Sequence, residues 1–205
     1  MRTGVGAVAA PAVVALVSGC VRLPAAELLA AQENRFADAY MQLLPVGPVM
    51  DAAAEQDSRW PLDKRSALVS TRQLNCVRSG LTSAQITPRQ RQSALAYAKA
   101  HPDTLMGDLR VLESGAARLF GQSVMQGAGV GPEPVAATSQ EKAAITALST
   151  APEFAPLRRF TGIDQLVDGA AQDAGQRGRQ FGQRLLVPYL TDAFVRCHIP
   201  VKLLF

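Results

Sequence analysis

Chemistry in this chain would have to come from a short stock of side chains: two histidines, three cysteines and 17 acids among 205 residues. His101 precedes Pro102 at the end of a helical pattern, where a cap or solvent-facing role fits better than proton transfer. His198 adjoins Cys197, but no second histidine or acid lies near enough in sequence to complete a nucleophilic relay. A Cys/His metal site needs further ligands at short spacing, and none follows. Gly121-Gln122-Ser123-Val124-Met125 begins as a hydrolase elbow does, yet Met125 stands where the closing glycine is required and the setting is helical. Asp51/Glu55 and Asp164/Asp168 are acids one helical turn apart, as paired catalytic carboxylates can be, but solvated helix faces carry such pairs as well. The glycines from Gly127 to Gly131 have the spacing of a phosphate loop; no strand precedes them, no lysine follows, and Pro132 and Pro134 interrupt. That stretch reads as a hinge or spacer. The expectation is no catalytic residue, no metal site and no cofactor: the chain does not read as an enzyme.

Composition narrows the partners. The formal charge of +4 is mild, includes Arg2, and is spread along the chain without a basic run. Phosphate recognition needs a concentrated patch, so nucleic acid is not expected. Aromatic residues make up only 5% of the chain, too few for a base-stacking platform or a sugar cleft.

The first twenty residues, MRTGVGAVAAPAVVALVSGC, set one basic residue before an apolar run and then Val17-Ser18-Gly19-Cys20. The run is shorter than the roughly 20 residues a membrane span needs, and Pro11 interrupts it. A charged start, an apolar middle and small residues before a cut form the secretory pattern. With cysteine in the fourth position the segment resembles the lipobox leader of bacterial lipoproteins. That resemblance implies cleavage before Cys20, a thioether from Cys20 to diacylglycerol, and stable attachment through several acyl chains. Val21, in place of Asp, implies retention at the outer rather than the inner membrane. Residues 1–19 are then the leader, 20–23 a short tether, and 24–205 one domain with a Gly/Pro linker at 127–137. In an oxidising periplasm the two remaining thiols, Cys76 and Cys197, read as a disulfide.

What must position these residues is helical throughout. Leu29, Phe36, Tyr40 and Leu43 share one face of a helix over 24–44. A short helix over 49–57 follows, then the Trp60-Pro61 step and a third helix over 63–77, with Asp63 as its N-cap and Leu68, Leu74 and Val77 inward. Thr87-Pro88 opens the next helix, which runs to His101-Pro102. Leu105, Leu109, Leu112, Ala116, Leu119 and Phe120 keep a three-and-four spacing over a single helix at 103–125. Thr138-x-x-Glu141 fits a capping box for a helix ending near Ala151-Pro152. The last pattern starts at Ile163 and passes Leu166, Phe181 and Leu185 to Cys197, with a bend at Pro188. Its acids, Asp164, Asp168 and Asp173, precede its arginines, Arg177, Arg179, Arg184 and Arg196, as the helix dipole prefers. The fold expected is all-α: an irregular bundle of about six to eight helices with a long, Pro-bent C-terminal helix. Residues 90–102 slide onto 140–152 with Gln, Ala and Pro in common, a candidate repeat. The apolar tail ending at Phe205 is expected to dock on the body.

Size, mild charge, absent catalytic groups and the leader together resemble, as a class, the immunity lipoproteins that shield bacteria from envelope-attacking toxins. The implied function is to hold a protein partner in the periplasm. Alternatives are an envelope-assembly accessory, a cell-wall enzyme, or a carrier of an apolar ligand between helices. A hollow with two convergent carboxylates would favour the enzyme, an apolar tunnel the carrier, and a featureless surface the partner-holder.

Overall fold

A computed structural model describes residues 25–131, 133, 135–167 and 173–204. Helix α1 (Ala25–Leu43) is the central post, and Phe36, Ala37, Tyr40 and Leu43 on it are buried. α4 (Ser83–Ala100), α5 (Leu105–Val111) and α6 (Ala117–Gly127) pack along it, and α2 (Val46–Gln56) lies across α4. α7 (Ser139–Thr150) closes over the α5–α6 junction. α8 (Ala155–Thr161) and the single turn α9 (Asp164–Val167) lead to α10 (Ala174–Arg196), which packs on α3 (Thr71–Gly80). The fold is an all-α irregular bundle, with Pro188 inside its long last helix.

Local chemistry explains the element ends. Ser70 and Gln73 form a capping box at the start of α3, and Thr138 and Glu141 form the predicted one at α7. The Asp173 carboxylate accepts the amides of Gly175 and Gln176 at the head of α10. Two arginines close helix C-termini on orphaned carbonyls. Arg78 donates to Ala54, Asp57 and Trp60, and Arg158 to Leu148 and Ala151.

Four predicted helices break differently, and in the last of them, expected to run on from Ile163, an extended Asp173 starts α10 anew after the turn α9. Residues 63–68 form a 3-10 turn ahead of α3; Asp63 sits there at φ 46° rather than as an N-cap, and Leu68 is exposed. α4 begins four residues before Thr87, because Asp51 accepts the Ser83 amide, and Pro88 lies inside the helix. The single helix expected over 103–125 is interrupted by a π turn, Leu112–Ala116, where Gly115 has φ 111°. Glu141 fills the space a Cβ at Gly115 would need, so its carboxylate reaches both the Thr138 amide and, at 2.6 Å, Arg118 Nε. Leu109, Leu112 and Ala116 stay buried across this insertion, which is why the spacing hid it.

The candidate repeat has a structural counterpart. α4 ends at Ala100 and α5 starts at Leu105, while α7 ends at Thr150 and α8 starts at Ala155, the same join fifty positions on. Ala94 and Ala98 are buried, as are Ala144 and Leu148 at matching steps. Gln90 departs from the match: it is buried and donates to the Leu44 carbonyl, whereas Gln140 is exposed. The tail is docked as far as Leu204: Ile199 is buried, Val201, Leu203 and Leu204 pack on the core, and Arg65 donates to the Leu203 carbonyl.

Candidate functional site

Helices α2, α6 and α10 do not close on one another. Between them lies a cavity of about 550 Å³, walled by Val46 and Val49 from α2, Phe120 and Val124 from α6, and Phe181 and Leu185 from α10. Gly175, Gly178 and Gly182 of α10 also line it, and a Cβ at Gly178 or Gly182 would meet nothing within 4 Å. The α10 wall runs from Gly175 to Leu186, about 16 Å at the helical rise. Among the described residues no charged side chain lines it, and the one hydroxyl there, Ser123, donates to the Leu119 carbonyl inside its own helix. An elongated apolar slot of this volume is within the roughly 300–1,000 Å³ of small-ligand sites. It can exclude water from an alkyl chain.

A second hollow of about 660 Å³ lies between α5 and α7, lined by Asp103, Asp108, Arg110, Gln140 and Glu153 among others. Asp108 is only 1% exposed, and its Oδ2 accepts the Tyr97 hydroxyl at 3.0 Å and the Thr104 hydroxyl at 3.1 Å. Burial pushes its carboxyl above the ordinary range, while the two hydroxyls and nearby His101 pull it down. Tyr97 is itself stacked between Phe36 and Phe160, with His101 4.4 Å away, and burial raises its phenol pKa. A glycosidase-type pair needs two carboxyls flanking one bond. Here one carboxyl is fastened to two hydroxyls, and Asp103 and Glu153 are both exposed.

That arrangement fixes a pH dependence. The folded carboxyl of Asp108 keeps its proton to a higher pH than the unfolded chain would, so its contribution falls as pH rises from about 3.9 through the raised folded value. Asp108→Asn leaves an oxygen to accept both hydroxyls. The variant is expected to flatten that fall and to match or exceed the wild type at neutral pH, as read by urea denaturation across the acid range. Equal pH dependence in the two proteins would assign the slope to other groups.

Cys76 and Cys197 are joined, with S–S 2.04 Å and Cα–Cα 5.8 Å, so neither thiol is a nucleophile. His101 caps α4 beside Tyr97, and His198 stands exposed at φ 53°. Asp51 is engaged in starting α4, and Asp164 accepts the Gln165 amide. Cys20 and Asp168 lie outside the described residues. Among the described residues no three His, Cys, Asp or Glu gather as a metal ion would require, and no helix is long and apolar enough to cross a membrane. Both hollows escaped the sequence reading; the glycine spacing at 175, 178 and 182 was the one visible trace of the first. No family model, curated protein or solved structure matches the chain.

Proposed function

We propose that this is an exported helical domain, tethered to the bacterial envelope through lipid on Cys20, that holds one alkyl chain in the slot between α2, α6 and α10. The cavity is the observation that carries the reading: α2, α6 and α10 stand apart around an apolar hollow, and the side chains facing it go without the close contacts that protein interiors normally make. Each methylene buried there contributes about 0.8 kcal/mol. A polar headgroup would remain outside, since the described walls are apolar. The Cys76–Cys197 bridge supports the oxidising compartment.

Holding a protein partner, as an immunity lipoprotein does, has weaker support. Among the described residues only Leu28 and Leu29 adjoin as exposed large apolar side chains; Leu68, Met106, Val135, Val167 and Val195 fall on separate elements, where a docking site would gather them. Many surface charges are paired across helices, Arg35 with Glu113, Arg89 with Asp192, Arg91 with Asp38 and Arg118 with Glu141.

N-phenyl-1-naphthylamine, an uncharged apolar fluorophore, tests the slot. Wild-type protein is expected to raise its emission saturably at one site. Gly182→Leu places four carbons where a Cβ finds open space, so probe affinity should fall at least tenfold while the melting temperature holds or rises. Equal binding by the variant, or none by the wild type, would refute the assignment.

A further inference from the structure

The core stripe of α1 outruns the body it packs against. Phe36, Tyr40 and Leu43 are buried, yet residues 25–31 of the same helix are exposed throughout. The first described cross-helix bonds of α1 are those of Asn34 and Arg35, to Arg91 and Glu113. Back from Ala31 to Ala25 the helix projects about 9 Å. Its sequence there, Ala25-Ala26-Glu27-Leu28-Leu29-Ala30-Ala31, keeps the stripe going. Ala25, Leu28 and Leu29 fall on the face that continues to Phe36, and Glu27 lies on the opposite side. Leu28 and Leu29 are 48% and 41% exposed, although a leucine on a core-facing stripe is normally covered.

The distance to Cys20 names what covers them. Five steps of chain separate Cys20 from Ala25, a reach of at most about 17 Å. A protein held by lipid at Cys20 therefore keeps the start of α1 at the bilayer surface, whatever path those residues take. We infer that the Leu28–Leu29 face of α1 seats in the lipid interface as a second contact beside the acyl anchor, fixing how the domain stands on the membrane. Apolar helix faces enter the headgroup boundary in this way, and a short contact gains from being tethered. The inference rests on the Cys20 anchor of the proposed function.

Acylated full-length protein, extracted from membranes and returned to phosphatidylethanolamine/phosphatidylglycerol vesicles with brominated acyl chains, gives the test. The wild type reports through Trp60 alone. In Leu29→Trp, and separately in Leu28→Trp, the added indole is expected to emit blue-shifted and to lose at least half its intensity in brominated relative to plain vesicles. Two well-folded variants whose added indoles stay unquenched, with intact mass showing lipid on Cys20, would overturn the seat and leave the anchor standing. An intact mass without lipid on Cys20 would remove the anchor, and the seat with it.

Discussion

Gly121→Ala is expected to lower stability by about 3 kcal/mol, the upper end of what overpacking costs. Gly121 lies on α6 where that helix crosses the end of α1, and a Cβ there would fall under 3.0 Å from the Gln42 carbonyl oxygen. Backbone, not a flexible side chain, is the obstacle. The two helices would have to separate at the point where Leu43 and Leu44 are fully buried, loosening contacts along the whole post. Gly107→Ala supplies the contrast. It sits inside α5, has nothing within 4 Å of its would-be Cβ, and should gain up to about 1 kcal/mol from helix propensity. Urea denaturation of the two variants measures opposite signs from the same chemical change. If both fall alike, close approach of α1 and α6 is not what glycine provides at 121.

The reach of the sequence followed the range of the interaction. The Thr138–Glu141 box was legible because both partners lie within one turn, and the structure has both of its bonds. The Ser70–Gln73 box is equally local, but a continuous helix from Asp63 had absorbed it; the break appears only once Val69 turns extended. The stripe of α1 was read correctly from Phe36 to Leu43 and too far at Leu29, because periodicity says which face is apolar and not where its partner ends. The π turn was hidden for a related reason. Its extra residue is absorbed at Gly115, so the apolar residues on either side remain on the buried face.

Neither hollow could be read from spacing. Asp108 meets Tyr97 across the His101-Pro102 turn, eleven positions away and on another helix, so no single helical period links them. The apolar slot depends on how far α10 stands off α2 and α6, a tertiary distance that the glycines at 175, 178 and 182 permit but do not set. Several of the groups weighed for chemistry hold structural bonds. The thiols are bridged, Ser123 is turned back on its own helix, and Asp51 holds the head of α4.

Removing the bridge is expected to have the largest effect of all. Cys76 and Cys197 are 121 positions apart, and in the chain-entropy model closing so long a loop contributes about 4–5 kcal/mol by limiting the unfolded chain. For a protein of this size that corresponds to a melting temperature lower by roughly 10–20 °C. The folded state gives the same direction. Cys76 is exposed on α3, whose buried residue is Val77, while Cys197 and, just before it, Ala193 and Phe194 are buried, so the bridge pins a thinly seated helix to a segment in the core. Reduced wild type and Cys76→Ala/Cys197→Ala should therefore keep their helical content and probe-binding slot while melting earlier, and they should agree with each other within about 1 kcal/mol. The slot is walled by the half of α10 nearer Gly175, away from the bridge, so probe affinity in the cold should change far less than stability. An unchanged melt would show that the bridge constrains nothing the unfolded chain explores. Loss of probe binding at low temperature would show that the bridged end of α10 holds the whole helix in place.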